Sequence, residues 1–220
     1  MRVSKSVSRR SVILGAVGVV AVHRASAQLG AVPSGARGRF ETERFVEDVK
    51  RANTESNARG AVEDVLARAV SRPNAVLDGL GEPAQAGIHT IYRDDVLTIL
   101  NVIWAPLMVL LPHNHNMWAS IGLYTGREDN IFWERRGDRI AATRAAALAE
   151  KDVFGLPADA IHSVTNPIGR MTGAIHIYGG DFFAPGRSEW DAEMLSERPW
   201  DLAAVRDEFT KAADRFNAVP

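Results

Sequence analysis

Apolar residues between Phe40 and Val70 recur at intervals of three and four, which is the spacing of one face of an amphipathic helix. The pattern breaks between Asn57 and Gly60, and Pro73 follows its end. We therefore predict two helices that pack as a scaffold, the second of them ended by Pro73. Their predicted core residues are Phe45, Val46 and Val49 in the first helix and Val62, Val65, Leu66 and Val70 in the second.

From Ile88 onward the pattern changes to short apolar runs between turn residues, which is typical of β-strands. The run Val96–Trp104 is almost continuously apolar, as in a strand that is buried on both faces. Pro112 is interpreted as a separator, and the alanine-rich residues 140–150 are compatible with either a helix or a strand. The predicted strands are Ile88–Tyr92, Val96–Trp104, Leu107–Leu111, Met117–Tyr124, Ile131–Glu134, Ile161–Val164 and Thr172–Tyr178.

Two polar clusters in the second half of the chain are interpreted as surface features. The cluster Glu128-Asp129-Asn130 follows Gly126 and predicts a solvated hairpin turn. The second cluster predicts a loop over the edge of the strand-rich region, with no ligand role, and consists of Arg187, Glu189 and Asp191.

The order of the elements predicts the fold class. Helices come first, about eight or more short strands follow, and residues 201–217 again have a helical pattern. This order favours a mainly β fold, a barrel or sandwich with N-terminal helices and a C-terminal helix. We predict four segments: an export signal (1–27), a leader with the helical scaffold (28–84), the barrel (85–195) and the C-terminal helix (196–220).

The first segment has the features of an export signal. Residues 1–27 hold five basic residues and no acid, with Arg9-Arg10 before the apolar run 12–22 and the small-x-small sequence Ala25-Ser26-Ala27 after it. The run is shorter than the roughly 20 residues that span a bilayer, so no stable membrane span is predicted. The arginine pair resembles the twin-arginine (Tat) motif, which implies a periplasmic or secreted protein. An ordinary secretory signal, an uncleaved amphipathic anchor and a misassigned start codon are the alternatives.

Composition and charge narrow the possible functions. The 220-residue chain is 46% hydrophobic and 24% charged, and its net charge of -1 gives no support for a nucleic-acid partner. It contains no cysteine, which excludes disulfides, thiolate metal sites and cysteine nucleophiles. Any transition metal must therefore be held by His, Asp or Glu.

The histidines supply the candidate metal site. His113 and His115 form a His-x-His pair after Pro112, and residues two apart on a strand point to the same face. His162 follows the turn at Pro157 and begins a later predicted strand. We predict that His113, His115 and His162 bind one metal ion.

These motifs resemble those of the cupin superfamily. The first cupin motif is matched by His113, His115 and Gly126, and the second by Pro157, His162 and Asn166. The glutamate ligand of the first motif is replaced by Ala119, and its glycine by Leu107. The glycines of the second motif are replaced by Lys151 and Asp159. The resemblance covers about residues 85–195 and implies a double-stranded β-helix (jelly-roll-like) barrel whose metal is held by three histidines.

The missing glutamate makes the sequence similar to the cysteine dioxygenase-like branch, the thiol dioxygenases, and within it to a bacterial group. In that family a His and a Tyr follow the third ligand, and His176 and Tyr178 match them. An early arginine that binds the substrate carboxylate corresponds to Arg93. The serine that partners the His–Tyr pair is Ala174 here, so that hydrogen-bond chain is expected to be cut. The resemblance implies Fe2+, O2 and a small thiol that is oxidised to a sulfinic acid.

Several alternatives remain open from the sequence alone. The chain is compatible with a metal-dependent cupin of other chemistry (isomerase, lyase or hydrolase), although no acid lies close in sequence to the ligands. A non-enzymatic periplasmic cupin that binds a metal or small ligand is a further alternative. His176 and Tyr178 are also compatible with a core pair, and Arg93 with an ion pair to Asp94, Asp95 or a distant acid. The oligomeric state is left as monomer or homodimer, because sheet edges in such barrels often pair.

Overall fold

The N-terminal part of the computed structural model is a layer of three helices. The structure describes residues 39–217, so the predicted export signal and most of the leader lie outside the described residues. The helices are α1 (Thr42–Ala52), α2 (Ala58–Val70) and α3 (Pro73–Leu80). Within the described residues, no helix is long and apolar enough to cross a membrane.

The third helix corrects the interpretation of Pro73. The prediction that α2 ends before this proline is confirmed, since α2 ends at Val70. Pro73 then occupies the first turn of α3, where its missing N–H costs no hydrogen bond. The prediction of two scaffold helices was therefore one helix short, because a proline both ends one helix and begins another.

The rest of the described chain consists of eleven strands and one helix, and all strand pairs are antiparallel. The strands are β1 (Gly87–Arg93), β2 (Thr98–Trp104), β3 (Val109–Asn114), β4 (Ala119–Thr125), β5 (Arg127–Arg136), β6 (Arg139–Ala149), β7 (Val153–Leu156), β8 (Ile161–Thr165), β9 (Thr172–Tyr178), β10 (Ser188–Trp190) and β11 (Glu197–Pro199), and α4 (Leu202–Asn217) follows.

Two sheets form the barrel. The first has the strand order β1-β2-β9-β4-β7 and the second β11-β10-β3-β8-β5-β6. The eight strands β2 to β9 pair first with last, in the nested pairs β2–β9, β3–β8, β4–β7 and β5–β6. This pairing is the jelly-roll arrangement, so the predicted mainly β barrel with helices at both ends is confirmed.

The helices cover the outer face of the first sheet. Its strands β2, β4 and β9 are consequently buried along their whole length. The predicted doubly buried strand Val96–Trp104 is thus confirmed for Thr98–Trp104, whereas Val96 lies before the strand and is 63% exposed. The contact is close: a Cβ on Gly122 of β4 would lie 2.6 Å from Cγ of Leu66 in α2. Alternate residues of these strands therefore face either the helices or the barrel interior.

Three local features differ from the sequence prediction. Pro112 does not separate strands, because β3 continues through an irregular register between Leu110 and His113. Residues 140–150 fall almost wholly in β6, whose pairing with β5 overrides the helix propensity of its alanines. The short strands β7, β10 and β11 were not predicted at all.

The C-terminal helix packs over the barrel. Asp201 caps its first turn by accepting a hydrogen bond from the backbone N–H of Ala203 (2.8 Å). Val205 and Phe209 are buried in the barrel core, and the Phe209 ring stacks on Trp104 with 5.2 Å between ring centroids. The amphipathic helix predicted from residue 201 is therefore confirmed, and its apolar face closes the barrel.

Candidate metal centre

Strand pairing brings the three predicted ligands together. His113 on β3 and His162 on β8 are direct cross-strand partners. His115 lies one residue beyond the end of β3, and its ring points toward those of His113 and His162. All three side chains are buried.

The ligand atoms converge at distances that suit one ion. His115 Nε2 lies 3.1 Å from His113 Nε2 and 3.4 Å from His162 Nε2. Two nitrogens at about 2.1 Å from a metal and at right angles to one another are about 3.0 Å apart. Within residues 39–217 these histidines are the one group of three or more potential ligands whose atoms lie within 4.8 Å of one another. A divalent metal could therefore be held here by three imidazoles.

Hydrogen bonds orient two of these rings. His113 Nδ1 lies 2.9 Å from the carbonyl oxygen of Leu111, and His162 Nδ1 lies 2.7 Å from Oδ1 of Asn130. Both partners are acceptors, so each ring donates from Nδ1 and keeps the lone pair of Nε2. Nε2 is the atom that faces the other histidines, which is the tautomer that a metal requires.

The electrostatics keep the rings neutral. Burial, together with the charge of Arg187, lowers the pKa of His113 to about 3. Burial also lowers the pKa of His115 and of His162 well below the ordinary value, and the neighbouring histidines add to the effect. All three are therefore unprotonated at neutral pH, and no proton competes with a metal for the lone pairs.

The predicted pair His176 and Tyr178 lies beside the histidines on β9. The Tyr178 ring meets His115 edge-on with 4.9 Å between centroids, and its hydroxyl lies 3.2 Å from His176 Nδ1. Burial raises the pKa of Tyr178, so the hydroxyl keeps its proton at neutral pH. The structure thus brings together five of the six predicted site residues.

Glu128 corrects the prediction of a solvated turn. Gly126 alone makes the turn, with a positive φ of 83°, and β5 begins at once. Glu128 and Asn130 then point into the barrel and are buried, whereas Asp129 between them is partly exposed. The alternation of these residues with buried Phe132 is the period-two signal that would have identified a strand here.

Glu128 also supplies the partner that the sequence suggested was lost at Ala174. Its Oε2 lies 3.3 Å from His176 Nε2, and the same oxygen accepts a hydrogen bond from Trp104 Nε1 (2.9 Å). The expected break in the hydrogen-bond chain is therefore wrong, because a carboxylate from another strand takes the place of the serine. It also brings an acid to the site, although none is close in sequence to the ligands.

Arg187, which the sequence analysis assigned to an edge loop with no ligand role, instead lines the cavity that contains the histidines. It is 5% exposed and lies between the rings of Phe182 and Trp200, with its guanidinium carbon 4.3 and 3.8 Å from their centroids. Nε donates to the carbonyl oxygen of Asn114 (3.0 Å) and Nη1 to that of Phe182 (2.7 Å). The buried Nη2 has no hydrogen-bond partner in the part of the chain that the structure describes. Burial lowers the pKa of Arg187 to about 10, so it stays charged at neutral pH.

Arg93, the predicted substrate anchor, is placed elsewhere. It lies on β1, its side chain is 49% exposed, and Nε and Nη2 each donate to Asp181 at 2.8 Å. Arg93 does not line the cavity that contains the histidines, whereas Arg187 does. The position of Arg93 fits the alternative of an ion pair with a distant acid and gives its anchoring role no support.

The cavity beside the histidines is small and has mostly apolar walls. About 20 Å³ remains for the centres of water molecules, and a single water needs ~10–15 Å³. Its polar lining consists mainly of Tyr178, Arg187 and four histidines, His113, His115, His162 and His176. Its apolar lining includes Trp104, Leu110, Val164, Phe182, Trp200 and Phe209. The space beside the histidines therefore suits an ion or a water molecule, and Arg187 places a positive charge in its wall.

The nested strand pairing decides the fold assignment. The barrel is a double-stranded β-helix of the jelly-roll type. Among solved structures it is similar to an RmlC-like cupin family protein with a double-stranded β-helix fold from Methanocaldococcus jannaschii, with a TM-score of 0.38, 8% identity and coverage of 46% of this chain and 84% of that one.

Two further solved structures show the same low similarity. One is a conserved double-stranded β-helix protein from Klebsiella pneumoniae (TM-score 0.39, 9% identity, 49% of this chain and 81% of that one). The other is a cupin superfamily protein from Desulfitobacterium hafniense (TM-score 0.37, 14% identity, coverage of 50% of this chain and 87% of that one). No family model matches the chain, and no curated protein matches its sequence.

Proposed function

We propose that this protein is an iron(II)-dependent dioxygenase that oxidises a small thiol carboxylate to a sulfinic acid. The observation that carries the proposal is a ligand set of three neutral imidazoles with no carboxylate, in a cavity that also holds a buried arginine with an unpartnered Nη2. The reaction balances as R–SH + O2 → R–SO2H, with both oxygen atoms retained in the product.

The chemistry of the ligands favours a thiolate. His113, His115 and His162 would hold the metal, and they add no negative charge to the site, so an anionic sulfur is favoured over a neutral ligand there. Imidazole ligands suit iron, and also zinc, copper and nickel. When bound, iron(II) would supply the chemistry that allows dioxygen to react with sulfur.

The other cavity residues would bind and orient the substrate. Arg187 would donate from Nη2 to the substrate carboxylate, since Nε and Nη1 already have partners. Tyr178, hydrogen-bonded to His176, would contact the polar end of the substrate or of the oxygen ligand. The rings of Phe182 and Phe209 would exclude bulk water. The predicted export signal would place the thiol in the periplasm or outside the cell.

A second candidate function is supported by Glu128. The carboxylate of Glu128 beside His176 forms a buried acid–base pair close to the proposed metal, which the sequence alone did not indicate. Such a pair suits proton transfer in a metal-dependent isomerase, lyase or hydrolase. The thiol hypothesis is preferred because a thiolate would balance the charge of a metal held by three neutral imidazoles, and Arg187 offers the free Nη2 to a substrate carboxylate.

Oxygen uptake distinguishes the two candidates. The purified protein, loaded anaerobically with iron(II), would be offered cysteine, 3-mercaptopropionate and cysteamine in turn. We expect uptake with a carboxylate-bearing thiol and a product heavier by two oxygen atoms. If iron is bound and no thiol causes uptake, the dioxygenase proposal is wrong and a cupin of other chemistry, or a metal-binding protein without turnover, remains.

Arginine variants test which residue binds the carboxylate. Arg187→Met should raise KM for 3-mercaptopropionate by about 10- to 100-fold, because a hydrogen bond to a charged group is worth roughly 1.5–3 kcal/mol. Its effect on cysteamine, which has no carboxylate, should be small. Arg93→Met is the matched control and should leave both KM values unchanged. The reverse result would restore Arg93 as the anchor.

A further inference from the structure

A continuous buried chain of hydrogen bonds joins the third metal ligand to Tyr178. His162 Nδ1 lies 2.7 Å from Asn130 Oδ1, and Asn130 Nδ2 donates to Glu128 Oε1 (3.1 Å). Glu128 Oε2 lies 3.3 Å from His176 Nε2, whose Nδ1 lies 3.2 Å from the Tyr178 hydroxyl. Every member is buried, and Glu128 is fully buried. One carboxylate thus links the ligand to the predicted catalytic pair.

The direction of each hydrogen bond follows from the donors that cannot be reversed. An indole N–H can only donate, so Trp104 requires an acceptor at Glu128 Oε2. Glu128 as a carboxylate accepts at both oxygens, so Asn130 must turn its NH2 group toward Glu128 and its oxygen toward His162. His162 must then carry its proton on Nδ1. This leaves the lone pair on Nε2, the atom that faces the other two histidines.

We propose that Glu128 is a positioning residue for both halves of the site. Acting through Asn130, it fixes the metal-binding tautomer of His162. Acting directly, it accepts a hydrogen bond from His176 Nε2–H, which leaves His176 Nδ1 to accept a hydrogen bond from the Tyr178 hydroxyl. The inference rests on metal binding by the three histidines and is independent of which reaction follows.

The isosteric variant Glu128→Gln tests this by reversing one hydrogen bond. If the oxygen of the new amide faces Trp104 and His176, its NH2 group faces the NH2 group of Asn130, and Asn130 must turn over. The Asn130 NH2 group then faces His162 Nδ1 and stabilises the tautomer with the proton on Nε2. In the opposite orientation the NH2 group of the new amide faces the Trp104 N–H. Two donors then oppose each other, because an indole N–H cannot accept a hydrogen bond. Loss of such an outer partner typically weakens metal binding by about 10- to 100-fold.

The double variant Glu128→Gln/Asn130→Asp should restore the affinity. The carboxylate introduced by Asn130→Asp would accept from the NH2 group introduced by Glu128→Gln and from His162 Nδ1, so every donor again meets an acceptor. Rescue by a second substitution is a result that loss of packing alone would not produce. Glu134→Gln is the matched control, because Glu134 lies on the same strand β5 and is exposed.

Cobalt(II) is the probe for the affinity measurement. It would be titrated anaerobically into each folded variant and followed by visible absorption, with a competing chelator where binding is tight. We expect the single variant to bind about 10- to 100-fold more weakly, the double variant to recover most of this loss, and the control to match the native protein. Native affinity in the single variant, or no recovery in the double variant, overturns the proposal. If the native protein itself binds no cobalt, the premise and the proposal both fail.

A measurement on the native protein covers the case in which a variant does not fold. In the zinc-loaded protein labelled with nitrogen-15 in histidine, the His162 Nδ1 and the His176 Nε2 should each carry a proton. A proton-free Nδ1 on His162 would overturn the inference without any variant. A failed oxygen-uptake assay would leave these results untouched, so the two proposals fail separately.

Discussion

The molecule has two buried layers that share the same strands and differ in what they contain. On β9, Ile175 and Ile177 face the helices α1 to α3. The alternate residues His176 and Tyr178 face the barrel interior. The helix-facing layer is mostly apolar, and its polar groups include the Tyr124–Asn101 hydrogen bond (2.8 Å), the buried Ser120 and the partly buried Glu63 of α2. The barrel interior buries histidines, a glutamate and an arginine.

The difference shows how stability and chemistry are separated within single strands. Burying an apolar side chain against the helices stabilises the fold by the hydrophobic effect. Burying Glu128 or His162 costs desolvation free energy, which is offset only by the hydrogen bonds of the network. The helix-covered side therefore supports a barrel interior that is free to hold polar groups. Four measurements test this separation, in order of decreasing expected effect.

Removing a ligand should strongly weaken metal binding without unfolding the barrel. A four-ligand zinc site contributes roughly 10–16 kcal/mol, so His162→Ala should weaken cobalt(II) binding by on the order of 100- to 1,000-fold. Titration followed by visible absorption measures this. His89→Ala, at an exposed histidine on β1, is the control and should bind as the native protein does. Native affinity in His162→Ala would remove His162 from the site.

A cavity in the helix-facing layer should have the opposite effect. Leu66 is fully buried in α2 and packs against Gly122, so Leu66→Ala should lower the free energy of unfolding by about 2–5 kcal/mol. Urea denaturation measures the loss. The metal affinity of the folded variant should not change. A large loss of affinity would show that the two layers are coupled.

Removing the Tyr178 hydroxyl should separate turnover from metal binding. Tyr178→Phe removes the hydrogen bond to His176 and keeps the ring that meets His115. We expect kcat to fall by about 10-fold or more, in line with ~1.5 kcal/mol for such a bond, with unchanged iron content. Metal analysis beside oxygen uptake gives both values. A loss of iron would instead assign Tyr178 to the metal shell or the fold.

Low pH should destabilise the metal-free protein, because the histidines buried in the barrel interior are neutral in the folded state. The pKa of His113 is about 3 in the folded protein and about 6.5 in the unfolded chain, so between these values only the unfolded chain takes up the proton. Stability is therefore fully present above about pH 6.5 and falls by up to about 1.4 kcal/mol per pH unit for each such histidine as the pH drops toward 3. Urea titrations between pH 7 and 4 measure this slope.

The control for the pH series is the variant Leu66→Ala in the helix-facing layer. The helix-facing core contains no histidine. Leu66→Ala should therefore lower the stability curve by the same amount at every pH and leave its slope unchanged. If the free energy of unfolding of the native protein does not fall between pH 7 and 4, the histidines are not buried in their neutral form.

Much of the architecture could be predicted because its signals are local. Three- and four-residue spacing identified α1, α2 and α4, and apolar runs identified seven of the strands, since each pattern acts within one element. The errors lie where pairing outweighs local preference, as in the alanine-rich β6, which is held by β5. Short strands such as β10 have too few residues to form a pattern.

The candidate site was predicted in part for the same reason. His113 and His115 are two residues apart, and the resemblance to cupins added His162, His176 and Tyr178. Glu128 was predicted to lie in a solvated turn because it is charged. The alternation of buried and exposed residues along β5 indicates a strand instead. Arg93 was chosen as the anchor by its order in the chain, although its partner Asp181 lies 88 residues away.

Local sequence patterns specify the helical ends, the strand-rich middle and the candidate metal-ligating histidines, because periodicity and short spacing act through neighbouring residues. Which polar residues share the cavity depends on the tertiary structure. Glu128 meets His176 across 48 residues, and Arg187 is held by Asn114 across 73. Contacts over such separations depend on how the sheets close, and burial then sets the charge and hydrogen-bond direction of each group.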